Sequence, residues 1–153
     1  MEFEFWPAVL AGVAGGLVMS MGDWMMKPMG MTMDPHRMWG SMLKMHGAAG
    51  YAAGFVMHLV LSAVIAIGYA VGFDIVGAES NLWAWGLLGG AVHWFIAGAL
   101  VMPMMPVMHP EMPDQRMPPG VFLKNYGMPD VPGFVMSHLA YGLVLGIVYE
   151  SRA

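Results

Sequence analysis

A chain of 153 residues that is 58% hydrophobic and only 10% charged, with a mean hydropathy of +0.61, has too little polar surface to cover itself in water; soluble domains carry about 25% charged residues. Its net charge of −4, with no basic run, excludes nucleic acid as an expected partner. With no Cys there are no disulfides, no thiolate catalysis and no cysteine-held zinc or iron–sulfur centre, whereas Met, with twenty copies, is the outlier.

The acidic opening "MEFEFWP" lacks the basic region that begins a signal peptide, so the first apolar run is expected to be retained. Four runs come near the roughly 20 apolar residues that a bilayer requires of a helix. They cover 5–21, 48–71, 82–102 and 132–149. Lipid admits only helices or closed barrels, and none of these runs alternates apolar with polar residues as a barrel strand does. The expected fold is all-α: one transmembrane domain, a four-helix bundle in the lipid bilayer.

The first connection (22–47) and the third (103–131) are long and rich in Met and Pro, while the second, "GFDIVGAESN", is short and acidic. With four spans, both long loops fall on one side, with Lys27, Arg37, Lys44, Arg116 and Lys124; the other side has Arg152 alone. The positive-inside rule then puts the loops in the cytoplasm and both termini outside. Trp6, Trp83, Trp85, Tyr69 and Tyr149 are expected to form an interfacial belt at the outer ends of the spans.

Within the first loop, "DPHRMWGSMLKMHG" predicts a short helix, with Asp34 as N-cap and Pro35 in the first turn. Met38, Met42 and Met45 would share one face and lie on the membrane, yet Met42 and His46, four residues apart, are also spaced to chelate. After the third span, "VMPMMPVMHPEMPDQRM" sets Met104, Met105, Met108, His109 and Met112 in a Pro-broken chain expected to have little regular structure. A soft-metal site and an apolar surface pad are both open readings of these loops, since Met is at once apolar, flexible and polarisable.

The chain repeats itself. "GFVMHLVLSAVIAIGYA" in the second span matches "GFVMSHLAYGLVLGIVYE" in the fourth, and "GVAGG" in the first matches "GLLGG" in the third. Each half is helix, Met-rich loop, helix, as in parallel repeats related by an axis along the membrane normal. Every span also carries a G-x-x-x-G (Gly12/Gly16, Gly50/Gly54, Gly86/Gly90, Gly142/Gly146), which lets a neighbouring backbone approach closely. "LVMPMM" at the end of the third span, together with Gly133, His138, Leu139, Tyr141, Gly142, Gly146 and Tyr149 in the fourth, resembles a family of small, uncharacterised bacterial four-helix integral membrane proteins. The resemblance implies the fold and a place in the bacterial cytoplasmic membrane, and it implies no activity.

Ionisable residues inside a membrane are costly and so are functional candidates. At 1.5 Å per residue, His58 and His138 lie about 16 Å from Tyr69 and Tyr149, and His93 about 15 Å from Trp83. All three are expected at one depth, near the midplane, converging in one coordination sphere with Met19 as a fourth ligand. Three readings compete. The imidazoles could be hydrogen-bonded glue between helices, with Ser62 and Tyr141 as partners. They could hold copper or a similar ion, since imidazole suits copper and thioether selects Cu(I). His58 and His138 could instead be axial ligands of a b-type haem. No hydrolytic or phosphate-binding motif occurs, and carboxylates are expected only in loops and at the termini, so an enzyme is not expected. The functional expectation is binding or passage of a soft metal ion, copper first. The alternative is a haem-binding or purely structural subunit of a larger membrane complex or homo-oligomer.

Overall fold

The computed structural model describes residues 2–111 and 118–153, and among these it is helical without a strand. Helix α1 (Phe5–Met26) runs on into a 3-10 turn, Lys27–Met29. The short α2 (Pro35–Met42) precedes α3 (Gly47–Ile75), α4 (Leu82–Met108) and α5 (Asp130–Glu150). α1, α3, α4 and α5 are each long and apolar enough to cross a membrane, and the chain is a multi-pass membrane protein. The spans extend past the sequence boundaries chiefly on the loop side, where Met and Pro dilute hydropathy without ending the helix. Pro103 is one case. A π turn, Ala97–Val101, stands just ahead of it, with the Met102 amide reaching back to the Ala97 carbonyl. That register shift absorbs the donor that proline lacks, and the helix continues to Met108.

The packing order is α3, α1, α5, α4, with α5 pressed between α1 and α4 and only slight contact between α3 and α4. Glycines set the close approaches. A Cβ at Gly142 or Gly86 would strike the carbonyl of the other, and one at Gly90 would lie 2.6 Å from the His138 carbonyl. On the other side, a Cβ at Gly12 or Gly16 would come within 2.6 Å of Ser62 on α3. Gly54 also serves a helix contact, but against the His36 carbonyl of α2 rather than another span.

The two Met-rich loops meet on one side and fold into a cap. Met31, Met33, Met38, Met102, Met105, Leu123 and Phe134 form a buried cluster there. The expected pad on the membrane is therefore corrected for Met38, which faces inward as α2 packs on α3. α2 itself begins as expected: the Asp34 carboxylate accepts from the Arg37 amide at 3.0 Å. Asp130, fully buried at the head of α5, ties the cap to the bundle. It accepts from the amides of Thr32 (3.0 Å), Met33 (2.6 Å) and Gly127 (3.0 Å) and from the Thr32 hydroxyl (2.9 Å).

At the opposite end, Trp6, Trp83 and Trp85 are exposed, as a belt requires. Tyr149 is not part of it: the ring is buried and its hydroxyl accepts from the Glu4 amide at 3.0 Å. Tyr69 is also turned inward, against Tyr141 and His93.

Candidate functional site

Beneath the cap, the helices line a cavity of about 200 Å³. His58 from α3, His93 from α4 and His138 from α5 all line it. So do five thioethers: Met19 from α1, Met31 and Met33 from the first loop, Met38 from α2 and Met102 from α4. The common depth expected of the histidines thus corresponds to one shared chamber.

They do not share one coordination sphere. Among the described residues, no three His, Cys, Asp or Glu side chains stand together as a metal would require. His93 and His138 are a pair, edge to face with ring centroids 4.7 Å apart. His58 is drawn towards α1 instead, with its Nδ1 3.2 Å from the Ser20 hydroxyl.

Donor counting orients these rings. The single proton of the Ser20 hydroxyl goes to the Gly16 carbonyl at 2.9 Å, so its oxygen accepts from His58 Nδ1–H and, at 3.0 Å, from His36 Nε2–H. His36 Nδ1 then accepts from the Tyr51 hydroxyl at 3.2 Å, and that oxygen in turn accepts from the Trp24 indole at 2.6 Å. On α5, His138 Nδ1–H donates to the Phe134 carbonyl at 2.7 Å. The Nε2 lone pairs of His58 and His138 are thereby left without a hydrogen bond among the described residues. His93 Nδ1 is buried with no partner among them either. An imidazole that gives one N–H to a carbonyl and keeps the other nitrogen open is in the form that binds a metal. The hydroxyl partners expected from sequence act differently: Ser62 donates to the His58 carbonyl at 2.8 Å, and Tyr141 to the Ser62 carbonyl at 2.5 Å.

His36 lies outside the spans, at the loop end of this chain of hydrogen bonds. Burial holds its imidazole below the ordinary histidine range, opposed by the Asp34 carboxylate and reinforced by Lys27.

The loop candidates fare unequally. α2 ends at Met42, so Met42 and His46 do not share a helical face, and His46 lies 3.2 Å from Glu111 instead. Met105 is buried in the cap and Met108 is exposed, and both sit on the helical end of α4, not in an open chain. His109 is buried with both nitrogens engaged. Nε2–H donates to the Met38 carbonyl (3.1 Å) and faces Ser41 Oγ (3.1 Å), while Nδ1 accepts from the Glu111 amide (3.2 Å). It is a post between the loops, with no lone pair free for an ion. Met112 lies outside the described residues.

Sequence reasoning missed one lining residue of a different kind. Asp23 is inside α1, buried, and lines the cavity, which corrects the expectation that carboxylates occur only in loops and at the termini. Its signal was the inward stripe Ala8, Gly12, Gly16, Ser20, Asp23, which is visible only once the span is carried beyond Met21. No family model, curated protein or solved structure matches this chain.

Proposed function

We propose that this protein binds or passes a soft metal ion, copper first, inside the membrane. The observation that carries the reading is the chamber lined by three histidines and five methionines. Imidazole suits copper, and thioether selects its cuprous state. The His93–His138 pair is the core of the site, with thioethers of Met19, Met31, Met33, Met38 and Met102 completing the ligands as side chains shift. Methionine is flexible enough for that adjustment. The Lys/Arg asymmetry supports a cytoplasmic cap and outside termini in the bacterial cytoplasmic membrane.

The test is metal analysis and an absorption spectrum of the detergent-purified protein. Wild type should retain copper, His138→Ala should lose it, and His46→Ala should keep it. Should wild type hold no copper after loading, with His138→Ala altering only stability, the histidines are hydrogen-bonded glue. That second reading is favoured by the bonds of His58 to Ser20 and of His138 to the Phe134 carbonyl. A Soret band would select a haem held by His58 and His138.

A further inference from the structure

Asp23 is the one acidic side chain lining the chamber, and no Lys or Arg lines it among the described residues. It is only 3% exposed. The Ser137 hydroxyl gives its single proton to the Gly133 carbonyl at 2.6 Å, and its oxygen lies 3.2 Å from Asp23 Oδ1; the other carboxylate oxygen, Oδ2, is buried with no partner. Lys27, one turn along, does not complete it. The Lys27 ammonium is engaged with Asp34 (3.2 Å) and the Met33 carbonyl (2.8 Å). A buried carboxylate oxygen with neither a donor nor a cation is a costly arrangement that native proteins keep for a reason.

We infer that Asp23 is the counter-charge for the ion in this chamber, which therefore takes a monovalent soft cation, Cu(I) or Ag(I), as a neutral complex. This rests on the soft-metal reading and adds to it the charge of the cargo and the side chain that balances it. The argument is one of charge. Imidazoles and thioethers are neutral ligands, so among the described residues Asp23, once its proton leaves as the ion enters, is the lining's single negative charge. A monovalent ion cancels it, whereas a divalent ion leaves a net positive charge among apolar walls, where residual charge is expensive. Ligand softness independently favours the same oxidation state.

The test is titration of the detergent-purified full chain with Ag(I), a redox-inert stand-in for Cu(I), and separately with Zn(II). Wild type should bind Ag(I) more tightly than Zn(II). Asp23→Asn, whose amide NH2 can donate to the Ser137 hydroxyl oxygen, should weaken Ag(I) by at least about tenfold, because opposite charges a few Å apart at an effective dielectric of about 20 interact by several times RT. Asp23→Glu keeps the charge and should bind better than Asn. Equal Ag(I) affinity in Asp23→Asn and wild type would overturn the inference while leaving the soft-metal reading intact. Zn(II) binding as tight as Ag(I) would overturn it as well, even if Asp23→Asn does not fold. If wild type takes up neither ion, the soft-metal reading itself fails and the inference falls with it.

Discussion

Replacing Asp130 isolates how much the Met-rich cap depends on a single buried carboxylate. In Asp130→Asn the amide oxygen can keep the Thr32 and Met33 amides now on Oδ1, while its NH2 replaces Oδ2 and confronts the Gly127 amide, donor against donor. The Thr32 hydroxyl can rotate to accept. One buried donor is thus orphaned, at about 1–3 kcal/mol. Asp130→Ala orphans three amides, at about 1–3 kcal/mol each before relaxation, and should cost more than the Asn variant. At about 2–4 °C per kcal/mol for a chain of this size, the Asn variant should melt about 2–12 °C below wild type and the Ala variant lower still. The assay is thermal unfolding in detergent, with protease nicking between Thr32 and Asp34 as a local readout. If both variants melt with wild type and the loop stays protected, the cap is held by its methionines and the carboxylate contributes nothing.

Gly142→Ala would drive a Cβ into the Gly86 carbonyl across the α4–α5 contact and should cost about 1–3 kcal/mol in melting experiments. Gly68→Ala, where a Cβ meets nothing, should be neutral, and equal tolerance at the two sites would refute the packing argument. Stability should also fall as pH drops below the ordinary histidine value, because His36 is held below it in the fold and the unfolded chain takes up the proton first. The contribution is present above that value and is lost as pH falls towards the folded value; a His36→Gln variant should show a flatter pH profile of melting temperature, and an unchanged slope would remove His36 from the account. Reporter fusions at Ala153 and at Lys124 should report opposite sides of the membrane, with Lys124 in the cytoplasm; a cytoplasmic Ala153 would reverse the topology.

The spans were legible because hydropathy over about 20 residues is a strong signal and every close approach was marked by glycine. Helical rise alone set His58, His93 and His138 at one level, and the three do line one chamber. The rotation of His58 did not follow from rise, because it depends on Ser20, a residue 38 positions away. The loops misled for a related reason. Proline and methionine read as breaks, yet the π turn before Pro103 carries α4 on to Met108, and of the expected surface pad Met38 is buried in the cap core while Met45 stays exposed. Asp23 was hidden by a boundary drawn at Met21, where the hydropathy falls but the inward stripe does not.

The halves repeat in sequence, yet their contacts do not. α1 lies firmly against α5, whereas the equivalent seam, α3 against α4, is nearly unmade and leaves a groove lined by Gly68, Gly72 and Gly89. Mechanically, α3 is a wall braced on one flank. It leans on α1 and carries α2 with it, since at Gly40 and Gly54 the two backbones leave no room for a methyl group between them. Any tilt of α3 therefore moves His58, Ser62 and the α2 residue Met38 as one panel, with the Tyr141–Ser62 hydrogen bond as its latch on the α5 side. The chamber is braced unevenly: the α4–α5 face that holds His93 and His138 is closed by backbone contact, and the α3 face is held by α1 and by that one hydrogen bond.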